Sequence, residues 1–278
     1  MKKWGLVIDV AKCSDCNNCY MACKDEFVDN DWPPYAAAQP ARGHRWMNIL
    51  SKERGQYPKV EVAYLPQPCQ HCQNAPCLAA DQDGAVRRRE DGIIIIDPDK
   101  AKGRKDLLKS CPYGAIFWNA DKNLPQKCIL CAHLLDEGWE KPRCVQVCPT
   151  GALQVEQLDD QEWAELKQAQ GLQAHREQLG TDPRVLYKSL NLYTKGFIAG
   201  NVAFGDSDEC AEGVEVTLRG DSGQELNKAL TDNYGEFVLR GLEENGDSYQ
   251  LEFVLPGRTK QTKTVQLKES LNLGTIFM

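Results

Sequence analysis

The stretch Cys13-Ser14-Asp15-Cys16-Asn17-Asn18-Cys19-Tyr20-Met21-Ala22-Cys23 decides how the first half of the chain folds. Gaps of two, two and three residues separate its four cysteines. A two-residue gap lets successive thiolates converge from a tight loop, whereas the fourth cysteine begins or lies on the following helix and points away. The spacing therefore predicts a loop that folds around its sulfur atoms and leads into a helix.

Three further cysteine groups follow this one. The second is Cys69-x2-Cys72-x4-Cys77, the third is Cys111 alone before Pro112, and the fourth is Cys128-x2-Cys131 followed by Cys144-x3-Cys148-Pro149. Each group is a full or partial version of the bacterial ferredoxin run. In that run three cysteines bind one [4Fe–4S] cluster and the fourth binds the other cluster of a pair.

Pairing the two outer runs and the two inner runs uses every clustered cysteine and predicts three [4Fe–4S] clusters. The predicted ligands are Cys13, Cys16, Cys19 and Cys148 for the first cluster, Cys23, Cys128, Cys131 and Cys144 for the second, and Cys69, Cys72, Cys77 and Cys111 for the third. A fourth cluster would need the fourth cysteine of the second run and the first three of the third run. Those four cysteines are the ones that the sequence lacks.

Zinc is the alternative metal for these cysteines. Structural zinc takes four ligands, commonly from two separated pairs, and the Cys13–Cys23 run crowds that geometry. A secreted disulfide scaffold would be shorter and would carry a secretion signal. His71 and His133 lie inside cluster runs, but cysteines already fill every predicted position, so we do not expect histidine ligation. Cys210 has no cysteine neighbour and is interpreted as a spare thiol.

The charge and composition of the chain argue against two classes of protein, nucleic-acid binders and membrane-spanning proteins. The formal net charge is −7, and the residues from Gly196 onward carry seven Lys and Arg against fourteen Asp and Glu. A nucleic-acid binder would show a strong basic excess. No apolar run approaches the roughly 20 residues that span a bilayer, and the apolar start before Asp9 is too short for a signal peptide. We therefore expect a cytoplasmic chain that inserts into no membrane and binds no nucleic acid.

The sequence also divides into three regions. Residues 1–155 hold the clustered cysteines and form the predicted [4Fe–4S] domain with insertions. Residues 156–195 form a connecting segment, with a helix predicted from Asp159 or Asp160 through Trp163 to Gly180 and an exposed His175. Residues 196–278 alternate polar and apolar positions between turn sequences, which predicts an antiparallel sandwich of about seven strands. No catalytic constellation occurs in the chain, so we expect it to carry electrons and not to make bonds.

A hairpin is predicted inside the first region. Arg87-Arg88-Arg89 precedes Glu90-Asp91-Gly92 and the apolar run Ile93–Ile96. Asp-Gly is a turn sequence, and a short apolar run after it indicates a buried second strand. We interpret the three arginines as a solvated strand face, with docking as the alternative. His44, Arg45 and Trp46 either line an interface or form a structural loop.

Four ferredoxin-type runs in this order resemble the iron–sulfur electron-transfer subunits of the dimethyl sulfoxide reductase family. Segments 7–13, 43–49 and 126–136 are similar to the small subunits of the pyrogallol–phloroglucinol transhydroxylase and resorcinol hydroxylase type, and the tail from Gly196 fits the same pattern. Thr231-Asp232-Asn233-Tyr234-Gly235-Glu236-Phe237 resembles transthyretin-like sandwiches. The implied fold class is α+β, a duplicated ferredoxin-like iron–sulfur domain followed by a small transthyretin-like or Ig-like antiparallel β-sandwich.

This resemblance also implies a partner. It is a large molybdopterin catalytic subunit, which carries molybdenum or tungsten bis(molybdopterin guanine dinucleotide) and acts on a phenolic substrate. The present chain would then be the electron-carrying half of a heterodimer. A stand-alone polyferredoxin that shuttles electrons between other enzymes is the alternative.

Overall fold

The computed structural model describes residues 1–278, which form two compact units. The first unit comprises Met1–Leu50 and Tyr64–Leu190, and the second comprises Ser51–Ala63 and Asn191–Met278. The division falls within a long hairpin, whose outer part belongs to the second unit although its base belongs to the first.

Strands and loops make up most of the chain, and only two α-helices reach ten residues. In chain order the strands are β1 (Lys3–Asp9), β2 (Asn48–Gln56), β3 (Lys59–Gln67), β4 (Val86–Arg88), β5 (Ile94–Ile96), β6 (Phe117–Asn119), β7 (Leu124–Gln126), β8 (Leu153–Leu158), β9 (Val185–Lys188), β10 (Gly196–Ala203), β11 (Glu215–Arg219), β12 (Glu225–Leu230), β13 (Glu236–Leu242), β14 (Ser248–Val254), β15 (Gln261–Gln266) and β16 (Leu271–Phe277). The α-helices are α1 (Asn18–Phe27), α2 (Pro76–Ala79), α3 (Leu107–Ser110), α4 (Ala132–Asp136), α5 (Arg143–Gln146), α6 (Asp160–Gln170) and α7 (Asn191–Thr194). None of these helices has the length and apolarity that crossing a membrane requires.

A three-stranded sheet anchors the first unit, with β1 between β8 and β9. Leu6 pairs with Val155 on the antiparallel side and with Val185 on the parallel side, and it is fully buried. Strand β9, which adds the connecting segment to this sheet, was not predicted from the sequence. The expected exposure of His175 is wrong, because this residue is 6% exposed and its ring lies edge-on to Tyr187 of β9.

Helix α6 begins where the sequence predicts and ends earlier. The Asp159 side chain accepts the backbone N–H groups of Gln161 and Glu162, and the Glu162 side chain caps Asp159 in return. The helix ends at Gln170 because Gly171 adopts a left-handed φ of 60°. The prediction that it continues to Gly180 is therefore wrong. Trp163 of this helix belongs to an apolar cluster that also includes Val7 and Leu186.

The hairpin β4–β5 confirms the prediction from its turn sequence. Arg88 pairs with Ile94, all three residues of β5 are buried, and Gly92 has the positive φ that the turn needs. The prediction that the three arginines form a solvated strand face is wrong for two of them. Arg88 donates to backbone carbonyls within the unit, and Arg89 forms ion pairs with Asp91 and Asp136.

The second unit contains seven strands in two sheets, in agreement with the predicted number. One sheet has the order β13-β10-β16 and the other has the order β12-β11-β14-β15. Alternate residues of both sheets point into one apolar core. Its fully buried members include Ile198 and Val202 from the first sheet, and Leu218, Leu251 and Phe253 from the second.

A tight turn explains the Thr231–Phe237 sequence. The buried Thr231 hydroxyl accepts the Val214 N–H and donates to the Ala211 carbonyl. Asp232 caps the turn by accepting two backbone N–H groups through Oδ1. Gly235 is required because its φ is 71° and an added Cβ would lie 2.2 Å from the Val202 carbonyl oxygen.

Candidate iron–sulfur centres

Four thiols from the two ends of the first unit form the first cysteine set, Cys13, Cys16, Cys19 and Cys148. Cys13 follows the short turn Val10–Lys12, and Cys19 lies in the first turn of α1. Burial, and after it the charges of Cys13, Cys148 and Cys16, raise the pKa of the Cys19 thiol to about 12. The effect of each charge on Cys19 is consistent with the four thiols lying within electrostatic range of one another. Cys16 is the exposed member of the set.

The second cysteine set is Cys23, Cys128, Cys131 and Cys144. Burial raises the pKa of the Cys23 thiol to about 12, with the charge of Cys128 acting in the same direction. Burial also raises the pKa of Cys144, and Cys131, Cys128 and Cys23 all add to that rise. This set therefore joins the last cysteine of the first run to three cysteines of the fourth run.

The third cysteine set is Cys69, Cys72, Cys77 and Cys111. Burial raises the pKa of the Cys72 thiol to about 12, and the charges of Cys69, Cys111 and Cys77 contribute. The pKa of Cys77 rises to about 11, first through burial and then through Cys69 and Cys111. The lone cysteine of the third run thus lies beside the three cysteines of the second run.

Two electrostatic effects extend from one predicted set to the next. The charge of Cys69 raises the pKa of Cys128 after burial, which joins the third set to the second. The charge of Cys19 acts on Cys144 in the same way and joins the second set to the first. We therefore expect the second set to be the middle one.

The same unusual backbone conformation recurs in three of the runs. Asp15, His71 and Leu130 have φ values of 54°, 43° and 53°, and each immediately precedes the second cysteine of its run. Residues with a Cβ seldom adopt a positive φ, and it persists where the surrounding structure demands it. In one run the Leu130 N–H donates to Cys128 Sγ at 3.4 Å as a result. The repetition indicates one loop design for presenting thiols.

The chemistry of these donors fits iron–sulfur clusters. All thirteen cysteines are free, so every thiol can bind metal as a thiolate. No group of three or more His, Cys, Asp or Glu side chains lies close enough together to bind a single metal ion. A cube presents four separate iron atoms, and its four thiolates do not need to converge on one point.

The two histidines inside the cluster runs have other partners. His133 Nε2 lies 2.9 Å from Glu26 Oε1, and its ring stacks on Trp32 with centroids 4.3 Å apart. His71 Nδ1 accepts a hydrogen bond from the Ile94 N–H at 3.1 Å. His44, which the sequence placed in a loop or an interface, lies 2.9 Å from the Trp118 carbonyl through Nε2.

Two buried lysines beside the cysteines were not predicted from the sequence. Lys24 follows Cys23 and is 8% exposed, and Lys127 precedes Cys128 and is 2% exposed. Each ammonium group donates to backbone carbonyl oxygens, Pro40 for Lys24, and Ile94 and Cys128 for Lys127. The sequence shows only that each lysine is adjacent to a cysteine. It does not reveal their burial, because the segments that cover these lysines come from elsewhere in the chain.

Comparisons with known proteins identify an iron–sulfur domain in this chain. The family described as a 4Fe-4S dicluster domain matches residues 60–158. The small subunit of pyrogallol hydroxytransferase from Pelobacter acidigallici is 45% identical over 99% of this chain and 99% of its own length. The iron-sulfur cluster-binding subunit of menaquinone reductase from Nitratidesulfovibrio vulgaris is 28% identical over 67% of this chain and 89% of its own length.

A solved structure of 5-hydroxyisourate hydrolase from Klebsiella pneumoniae is 16% identical to this chain. It covers 30% of this chain and 84% of the hydrolase chain, and its TM-score of 0.25 is too low to assign a fold. The match to the Pelobacter protein is of another kind, since it extends over nearly the whole length of both chains. On that match, the chain belongs to the dimethyl sulfoxide reductase family of iron–sulfur subunits, in the branch of the pyrogallol hydroxytransferase small subunit.

Proposed function

We propose that this chain is the electron-transfer subunit of a molybdopterin hydroxytransferase or oxidoreductase and that it holds three [4Fe–4S] clusters. The first, second and third cysteine sets supply four thiolate ligands each. Chemistry on a phenolic substrate takes place in a separate large subunit, which carries the molybdenum or tungsten bis(molybdopterin guanine dinucleotide). This chain contributes no catalytic residue.

The observation that carries the proposal is the row of three cysteine sets, with four thiols in each. After burial, the charge of Cys69 raises the pKa of Cys128, and the charge of Cys19 raises the pKa of Cys144, which supports neighbouring sets. A relay needs carriers at short spacing, and the second set has thiols within electrostatic range of both others. A zinc site needs no such continuity, because structural zinc ions act separately.

The protein around the sets has three roles in a relay. When bound, the clusters supply one-electron carriers whose potentials depend on charge, hydrogen bonds to sulfur and exposure. Burial of Cys23, Cys72 and Cys144 excludes water from the sulfur atoms. The Ala115 N–H donates to Cys111 Sγ at 3.4 Å, and Gln39 Nε2 donates to Cys23 Sγ at 3.7 Å, so both lower the charge on sulfur.

The proposal also includes a catalytic partner, a division into domains and a cellular compartment. The relatives include small and iron-sulfur subunits, which supports a large catalytic partner for this chain. Two sheets around one core support a transthyretin-like sandwich for residues 196–278 beside the 1–155 cluster domain and the 156–195 connection. Clustered free thiols suit a reducing compartment, which supports the cytoplasm.

Native co-purification tests the partner. The chain is isolated anaerobically from its own cells without a tag, and we expect a much larger pterin-containing polypeptide to accompany it at equal molar amount. Molybdenum or tungsten should follow the larger polypeptide after the two are separated. A chain that elutes alone with its full iron content would contradict the subunit role and favour the polyferredoxin.

A further inference from the structure

Lys127 has the lowest exposure of any lysine or arginine in the chain, 2%, and it precedes Cys128 of the second set. Its Nζ donates a short hydrogen bond to the Ile94 carbonyl and a second, at 3.1 Å, to the Cys128 carbonyl. These two contacts fix the ammonium group between the strand β5 and the start of the fourth cysteine run. The side chain therefore has a defined position away from solvent.

No carboxylate neutralises this ammonium group. The partners of Lys127 are two backbone carbonyls, and it forms none of the ion pairs of the chain. Burying an uncompensated charge is unfavourable, so a buried charge is normally paired. The missing counter-charge has to come from another kind of group nearby.

Ile94, whose carbonyl accepts a hydrogen bond from Lys127, packs in one apolar cluster with Cys69, Cys72 and Cys77, and Cys111 and Cys128 pack against that cluster. Burial raises the pKa of Cys77, Cys111 and Cys128, and the charge of Lys127 opposes that rise at all three thiols. Cys77 and Cys111 belong to the third set, and Cys128 belongs to the second. Lys127 is thus held next to Cys128 of the second set and beside the apolar cluster that contains the third-set cysteines.

We propose that Lys127 is a positioning residue, whose fixed positive charge raises the reduction potential of the third cluster. The third cluster is then the site in this chain where an added electron is most stable. The inference rests on the proposed function, since it needs a cluster on Cys69, Cys72, Cys77 and Cys111. Reduction adds one electron to that cluster and transfers no proton. The added negative charge is stabilised by the nearby ammonium group.

The other basic groups around Lys127 do not replace it. His71 Nδ1 accepts the Ile94 N–H, so the ring is neutral and carries its proton on Nε2. Burial and the charges of Lys127 and Arg88 lower the pKa of His71 and keep it neutral. Arg88 directs its guanidinium to the carbonyls of Cys72 and Gln73. Lys127 is the one cation of these whose charge acts directly on the third-set thiols.

A redox titration monitored by electron paramagnetic resonance tests the proposal on the full chain, purified anaerobically. Cys111→Ser first identifies the signal of the third cluster. Lys127→Gln removes the charge and keeps a hydrogen-bond donor for the Ile94 carbonyl, and Lys109→Gln is the matched control. Lys109 is an exposed lysine two residues before Cys111, where water screens its charge.

We expect Lys127→Gln to lower the ratio of reduced to oxidised third cluster about tenfold at fixed potential, which is about 59 mV for one electron. The first cluster and the Lys109→Gln variant should keep their potentials, and Lys127→Arg should restore the third. An unchanged third potential with full iron content, or an equal shift in Lys109→Gln, overturns the role of Lys127. If Lys127→Gln loses iron, Lys127→Arg decides, since loss of iron there as well contradicts a charge effect.

The same samples separate this inference from the proposed function. A wild-type chain without cubane signals contradicts the cluster assignment itself. Three wild-type cubane signals with a third potential indifferent to Lys127 contradict only the tuning role.

Discussion

The two compact units of this chain obtain their stability from different sources. The first unit surrounds twelve thiols with short strands, tight turns and left-handed residues such as Asp15, His71 and Leu130. The second has no clustered cysteine and instead buries Ile198, Leu251 and Phe253 in one apolar core. The first unit also has apolar clusters, but we expect it to depend in addition on the metal that its thiols bind. The difference predicts which unit fails when metal is removed.

Metal removal should produce the largest difference between the units. Ligand thiolates repel one another and resist burial once iron is gone, so chelation should unfold the cysteine region as it unfolds other small metal domains. Hydrogen exchange followed by mass spectrometry should show lost protection in β1, α1 and β8 and retained protection in β10–β16. Equal loss of protection in both units would contradict separate sources of stability.

Loss of one ligand should have the next largest effect. Cys111→Ser removes the only third-set thiol outside the Cys69–Cys77 run, and we expect the iron content to fall from about twelve to about eight atoms per chain. Cys210→Ser is the control, because Cys210 is exposed and belongs to no set. Iron analysis with electron paramagnetic resonance measures both variants. Loss of signals from the first or second set in Cys111→Ser would show that the pairing of runs is wrong.

The pairing of the runs is predicted from cysteine spacing alone, and it stays a prediction. Helix α6 was predicted at its start, where Asp159 and Glu162 cap it locally, but its end depends on whether Gly171 adopts a left-handed conformation. Strand β9 was missed because four residues carry too little periodicity, and its parallel partner β1 is far away in sequence. The burial of Lys127 was missed for a similar reason, because its ammonium group bonds to Ile94 of β5, which is 33 residues away in the sequence.

A cavity in the second unit should act on that unit alone. Leu251 is fully buried, and Leu251→Ala should lower the free energy of unfolding of this unit by about 2–5 kcal/mol. Leu230→Ala is the control, since Leu230 on β12 is 64% exposed. Denaturant unfolding monitored by circular dichroism measures stability, and iron analysis should give the same content in both variants. A fall in iron content with Leu251→Ala would mean that the second unit supports the clusters.

Acid should produce the smallest effect, at a carboxylate of the second unit. Burial would raise the pKa of Glu244, but hydrogen bonds from Ser270 and Lys52 outweigh it and lower that pKa. A carboxyl group with a lowered pKa contributes stability above its unfolded pKa, and that contribution disappears as the pH falls through its folded pKa. We therefore expect Glu244→Gln to cost about 1 kcal/mol at pH 7 and progressively less below about pH 4.

Glu225→Gln is the matched control for this measurement, because Glu225 is an exposed glutamate on the edge strand β12. Urea unfolding at a series of pH values compares both variants with the wild-type chain. A stability difference between Glu244→Gln and wild type that stays constant down to pH 3 would contradict the assigned pKa direction.

Metal and sulfide analysis of the anaerobically purified chain, with electron paramagnetic resonance of the reduced sample, tests the central claim most directly. The three cysteine sets predict about twelve iron atoms and about twelve acid-labile sulfides per chain, with three interacting cubane signals. Zinc as the main metal, or a reduced sample without cubane signals, would contradict the account.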